Sequence, residues 1–217
     1  SLGQTLSSYE ANLSEARQLN YIDNSYRQEE AMWQKLSAMA EERKCVLVFS
    51  AGNNDVISGM DPKKRNNSTI IVSALDQSLN KASFSNYGIY PHLGREYSTV
   101  SAPGVNIYSA TPNASYDYKD GTSMAAPIVS GSVALLKCLD RSLNSYQIIN
   151  ILKETGVPVG EDIGPMINIG KAMHMLNGDS TYKRFDCRSI SKEIKYLRKQ
   201  LDSLMNLCPE ASEPEDT

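Results

Sequence analysis

The stretch Gly121-Thr122-Ser123-Met124-Ala125-Ala126-Pro127-Ile128-Val129-Ser130-Gly131 restricts this chain more than any other. A small-residue turn delivers one hydroxyl, and an apolar run with small residues at close spacing follows it. Gly121 permits a sharp turn, and Thr122 or Ser123 can cap the helix that follows. Ser123 then stands where backbone N–H groups and the positive end of the helix dipole converge. Such a place suits a serine nucleophile, because the transition state of acyl transfer carries an oxyanion. A bare Gly-Thr-Ser more often does no more than cap a buried helix, so the rest of the chain has to decide.

At 217 residues the chain is long enough for one sizeable domain, or one domain with an appendage. The net charge of −3 gives no reason to expect nucleic acid or an anionic membrane as a partner. No run of about 18 apolar residues predicts a transmembrane helix. Cys45, Cys138, Cys187 and Cys208 show no metal-like pairing. Cys45 precedes a strand and Cys138 sits late in an apolar helix, which predicts core thiols for both. Cys187 and Cys208 can pair only if the tail folds back on itself, and the redox compartment stays open.

Val46-Leu47-Val48-Phe49 is an apolar run suited to a parallel strand covered on both sides. It ends in Ser50-Ala51-Gly52-Asn53-Asn54-Asp55. This places the Asn53 side-chain amide just past a strand's C-terminal end, where α/β sheets bind ligands; a plain turn is the alternative. Residues 4–25 read as a loop with at most a helical turn. Residues 26–43 read as an amphipathic helix, with Ala31, Met32, Leu36, Met39 and Ala40 inward and Trp33 at the edge of that face. Asp61-Pro62-Lys63-Lys64-Arg65-Asn66-Asn67 reads as a solvated charged loop, or as a preference for acidic substrates. Strands are predicted at 68–74 and 107–111. Helices are predicted from Ser123 to Leu139, with Pro127 in the first turn, and from Ser145, as cap, to Lys153.

The motifs taken together resemble the subtilases, the subtilisin-like serine peptidases. Gly121 to Gly131 is similar to their nucleophile motif, with Ile128 where the family usually has His. Ala51-Gly52-Asn53 is similar to their oxyanion segment, and Ser1-Leu2-Gly3 to the end of an extended segment that pairs with the substrate backbone. Lys81-Ala82-Ser83-Phe84-Ser85-Asn86-Tyr87-Gly88, the Ala102-Pro103-Gly104 turn and the closing segment Gly164 to Ala172 resemble structural parts of the same family. The resemblance implies an α/β, three-layer fold with a mostly parallel sheet between helices, present here without its N-terminal half. It implies Ser123 as nucleophile and Asn53 as amide donor to the oxyanion. Ser1, Leu2, Gly3, Ala51 and Gly52 become substrate contacts. No metal ligands are expected and no cofactor; calcium enters by family analogy only.

Serine-triad chemistry also needs an imidazole and a carboxylate. The two histidines, His92 in a Pro-containing loop and His174 on the closing helix, lie outside the family's His-Gly-Thr string, and no Asp-Ser/Thr-Gly follows an apolar strand. Both partners are therefore expected upstream, in an N-terminal half of the same catalytic domain, and the start at Ser1 points to sequence removed ahead of it. The domain is placed at residues 1–178. Residues 179–217 form an extension in which Ile190, Ile194, Leu197, Leu201, Leu204 and Cys208 make a narrow apolar stripe. That stripe packs on the domain, serves self-association or a partner, or stays mobile; the acidic end is expected to be disordered. A peptide or protein is the expected substrate, and family analogy favours secretion or the cell envelope. A catalytically inactive subtilase-like module that binds peptides or a partner is the alternative, as is a processed enzyme of two associated chains.

Overall fold

In chain order the elements are α1 (Glu15–Asn24), α2 (Arg27–Glu42), β1 (Leu47–Ser50), β2 (Thr69–Leu75), β3 (Ile89–Tyr90), β4 (Arg95–Glu96), β5 (Val100–Pro103), β6 (Ile107–Thr111), β7 (Ser115–Lys119), α3 (Thr122–Leu139), α4 (Ser145–Thr155) and α5 (Ile169–Leu176). This computed structural model describes residues 12–178 apart from Asn113, and the chain divides into two units, residues 1–179 and 180–217. The predicted tail stripe and acidic end lie outside the described residues.

A parallel sheet in the order β1-β2-β5 carries the fold, with Val48 opposite Ile70 and Val72 opposite Val100. Every residue of β2 is buried, as befits a middle strand whose two faces are both covered. Ile70, Val72 and Ala74, at the two-residue period of a strand, share one core with Val100, Ala102, Ala125, Val129, Val133 and Leu136. α3 thus packs across the sheet, while Val56, Ile57, Met60, Ile22, Tyr90 and Tyr97 form a second cluster. β1 is only half-buried along its length, not covered on both sides as its composition suggests, because it pairs with β2 alone.

Several local expectations are corrected. Residues 15–24 form a full helix, α1, whose inward face pairs Ile22 with a buried glutamine, Gln18, so its polar composition hides it. Gln18 donates to Leu13 O and accepts from the Ile57 N–H, each at 2.8 Å, which makes a polar side chain as good an anchor as a leucine. α2 forms where predicted but turns a different face inward. Ser37 is buried and the Trp33 ring meets Phe49 edge-on at 5.9 Å, whereas Met32, Leu36 and Met39 are exposed. Cys45 and Cys138 are exposed rather than core thiols. Residues 115–119, for which no strand is predicted, pair antiparallel with β6, and Tyr108 of β6 clusters with Tyr116 and Tyr118 on the exposed hairpin. The Ala102-Pro103-Gly104 turn begins as strand β5. α4 is capped by Asn144 in a capping box with Gln147, with Ser145 already inside the helix.

The largest correction concerns residues 61–65. Asp61, Lys63 and Lys64 are buried, and the Arg65 side chain keeps 4% of its exposure, where a solvated loop was expected. Paired charges and backbone carbonyls replace much of the water these groups lose, though the buried Arg65 Nη2 has no hydrogen-bond acceptor among the described residues. α3 is the one helix among the described residues long and apolar enough to cross a membrane. Its packing against β1, β2 and β5 makes it the central helix of this domain.

Candidate active site

At Ala51 the chain still holds to the sheet, its N–H donating to Val72 O at 2.8 Å, and then it turns away through Gly52 at φ +112°. No side chain fits there, since a Cβ on Gly52 would stand 2.5 Å from Asn86 Nδ2. The departing segment is held at each step. Lys64 Nζ donates to Ala51 O at 2.6 Å, and the Gly52 N–H donates to Thr122 Oγ1 at 3.1 Å. The Asn86 N–H donates to Gly52 O at 2.9 Å. Asn86 Oδ1 accepts from the N–H groups of Asn54 and Val56 at 2.9 and 3.2 Å. The sequence pattern gave Asn86 a structural part, and it has one; Lys64 was missed because charge in a Pro- and Asn-rich run looks solvated.

α3 opens at the far side of this segment. Its N-cap is Gly121 at φ +145°, with no side chain to offer, so neither Thr122 nor Ser123 caps the helix as expected. Asn53 does so from another element: its Oδ1 accepts from the Thr122 N–H at 2.9 Å and from Thr122 Oγ1 at 2.8 Å. A backbone N–H only donates, so the atom facing it must be the amide oxygen, and Nδ2 points elsewhere. A Cβ built on Gly121 would lie 3.2 Å from Asn53 Nδ2 and 3.7 Å from the Ser123 nitrogen. The two nitrogens and the Met124 sulfur, 3.6 Å from the same point, border the place that a side chain at residue 121 would enter. Pro127 falls a turn further into α3 than predicted, and its missing N–H leaves the Ser123 carbonyl without the helical bond it would otherwise accept.

Ser123, half-buried, and Asn53, exposed, are thus brought together, with Ala51 buried and Gly52 half-buried immediately ahead of them. Ser1, Leu2 and Gly3 lie outside the described residues. His174 is in the last turn of α5 and His92 on the Pro91–Leu93 turn. Among the described residues no imidazole or carboxylate is hydrogen-bonded to the Ser123 hydroxyl. Among them, too, no group of three or more His, Cys, Asp or Glu side chains is placed to hold a metal ion. Beneath the segment, burial pulls the Lys64 ammonium down to about 8, against the upward pull of Asp61, while Lys63 adds to the lowering.

A hydroxyl at a helix N-terminus, beside two nitrogens that can donate, is an arrangement that serine acyl transfer can use. The subtilase family profile, Peptidase S8, matches residues 1–178, and the chain belongs to that family of serine peptidases. It is 40% identical to subtilisin BL of Lederbergia lenta over 115 residues, which are 53% of this chain and 40% of that protein. It is 40% identical to a thermophilic serine proteinase of Bacillus sp. strain AK1 over 110 residues, 51% of this chain and 25% of the relative. Among solved structures, a protease from Pseudoalteromonas arctica PAMC 21717 matches with TM-score 0.58 and 26% identity, over 66% of this chain and 46% of its own. The prenylagaramide maturation protease PagA matches with TM-score 0.57 and 25% identity, over 67% and 55%. The chain therefore spans 25–55% of the length of these four proteins.

Proposed function

We propose that the complete protein is a subtilisin-like serine endopeptidase that hydrolyses peptide bonds through an acyl-enzyme on Ser123. Asn53 Nδ2 and the Ser123 N–H stabilise the oxyanion of the tetrahedral intermediate. Gly52, with Ser1, Leu2 and Gly3, borders the bound peptide, whereas Ala51, fully buried with both backbone groups bonded, supports the segment from beneath. An aspartate and a histidine from an N-terminal half of the same catalytic domain complete the triad, because among the described residues no imidazole or carboxylate is hydrogen-bonded to Ser123. The observation that carries the reading is the shared space at Gly121, bordered by the amide of Asn53 and the backbone of Ser123. A module that only bound peptides would need neither of the two nitrogens at that space. The same reading favours secretion or the cell envelope.

The test is covalent labelling of the complete protein with a fluorophosphonate, followed by peptide mapping and by assay on a peptide anilide. Label on Ser123, absent from a Ser123→Ala variant that has lost turnover by about 10³-fold or more, is expected. Turnover retained by Ser123→Ala sinks the assignment. Binding of peptides without labelling selects the inactive module instead.

A further inference from the structure

Lys64 is a buried cation that the chemistry above does not use. Its side chain keeps 7% of its exposure, that of Lys63 6% and that of Asp61 10%. Lys63 Nζ lies 2.8 Å and Lys64 Nζ 3.5 Å from Asp61 Oδ2, and Asp61 Oδ1 accepts from the Lys63 N–H at 3.3 Å. Burying an ammonium is costly, and an apolar side chain would fill this space at less expense. What the ammonium reaches is the Ala51 carbonyl, at 2.6 Å. That carbonyl belongs to the last residue bonded to the sheet before the chain swings out to deliver Asn53.

We propose that Lys64 is a positioning residue for the acyl transfer: its ammonium, steadied by Asp61, grips the Ala51 carbonyl and so aims the Asn53 amide at the oxyanion. The inference rests on the reading of Ser123 as nucleophile. Lys64 touches neither substrate nor reacting atoms and acts through the Ala51–Asn53 backbone. The other holds on residues 51–53 come from uncharged groups, Val72 O, the Thr122 backbone and hydroxyl, and the Asn86 N–H; two residues on, Lys81 Nζ pairs with the exposed Asp55 carboxylate at 2.6 Å. Lys64 is thus the one hold among those on residues 51–53 whose strength depends on protonation. The charged groups around it are Asp61 and Lys63 on its own turn, with Arg65 next in the chain paired to Glu30 of α2.

The direction follows from the lowered value of about 8, against 10.5 for an ordinary lysine. Below pH 8 the ammonium makes a charge-assisted bond to Ala51 O; above it the neutral amine makes a weaker one. kcat of the complete enzyme is expected to fall roughly three- to tenfold as pH rises through about 8, the difference between the two kinds of bond. Stability moves the other way. Between about pH 8 and 10.5 the unfolded chain holds this proton more tightly than the folded one, so the contribution of Lys64 to stability rises with pH. An alkaline loss of rate is then not alkaline unfolding.

The experiment measures kcat and KM against pH for the complete enzyme, for Lys64→Arg, which stays charged throughout, and for Lys64→Met, alone and combined with Asn53→Ala. Thermal melts and fluorophosphonate labelling are run on the same preparations. Expected are a limb near pH 8 that Lys64→Arg lacks, a loss in Lys64→Met that falls on kcat, and little further loss when Lys64→Met is added to Asn53→Ala. The inference is overturned by a wild-type rate that stays flat through pH 8, by the same limb in Lys64→Arg, or by a Lys64→Met loss confined to KM. Full additivity with Asn53→Ala overturns it as well. Wild-type protein that fails to label at Ser123 overturns the functional reading and this inference together, and so is told apart from the other outcomes.

Discussion

The carboxamide of Asn53 commits its oxygen to the N–H and hydroxyl of Thr122, at 2.9 and 2.8 Å, and this fixes where its nitrogen points. Aspartate at this position keeps an acceptor toward Thr122 and replaces the donor with a second acceptor. In the complete enzyme, Asn53→Asp is therefore expected to keep its melting temperature within a few degrees and lose about 10²–10³ in kcat, the range known for removing one oxyanion donor from a subtilisin. Steady-state assay and a thermal melt on one preparation check it, and an unchanged kcat removes Asn53 from the site. Asn53 and Ser123 are named from the Ala51-Gly52-Asn53 and Gly121-to-Gly131 strings, and the structure brings the two together across glycines that allow positive φ. Gly52 has no room for a Cβ beside Asn86, and a Cβ at Gly121 would enter the place that the two nitrogens border. Lys64 was not legible. Whether a lysine is buried depends on Ala51 and Asp61 closing round it, and no local pattern in Asp-Pro-Lys-Lys-Arg reports that.

At the scale of elements the same run of charge joins three pieces of chain. Arg65 Nε donates to Gly59 O at 2.7 Å, and Nη1 reaches Ile22 O, Ser25 O and Glu30 Oε2 at 3.0, 2.8 and 3.1 Å. The end of α1, the first turn of α2 and the turn ahead of β2 are thus tied to one guanidinium. Arg65→Met leaves Glu30, 18% exposed, without its cation and those carbonyls without a donor. The expected cost is about 3–5 kcal/mol, a fall in melting temperature on the order of 10 °C for a chain of this size. Arg65→Lys recovers little of it, because one ammonium cannot span the fork. A melt within 2–3 °C of wild type, about 1 kcal/mol, would show that α1 and α2 hold their places without Arg65. The sheet and α3 follow from patterns visible in the chain, since β2 is largely apolar and α3 brings Ala125, Val129, Val133 and Leu136 to it at helical spacing, although its small residues Ser130, Gly131 and Ala134 face outward. α1 and the inward face of α2 do not, because Gln18 and Ser37 are anchored by hydrogen bonding and close approach, to which a hydrophobic period is blind.

For the whole molecule, the surfaces left uncovered matter as much as the core. α3 turns Ile128, Leu135 and Leu139 outward at 39, 48 and 41% exposure, and β1 is half-buried beside a single partner strand. A central helix is not expected to show this much aliphatic surface in a finished domain. The chain accounts for only 40% of subtilisin BL, and an N-terminal half of the catalytic domain is the proposed cover. Burying the exposed parts of those aliphatic side chains contributes about 1 kcal/mol each, so the cover is expected to stabilise α3 by several kcal/mol. Residues 1–217 produced alone should then melt lower than the complete protein and exchange the amides of α3 faster. Adding the upstream half in trans should restore protection along α3 and, with it, fluorophosphonate labelling of Ser123. Hydrogen exchange read by mass spectrometry follows the first effect, and the label follows the second. Equal protection of α3 with and without the upstream half would mean that its outward face is no interface. Protection restored without labelling would mean that the two halves assemble and the triad is incomplete, which separates the architecture proposed here from the activity.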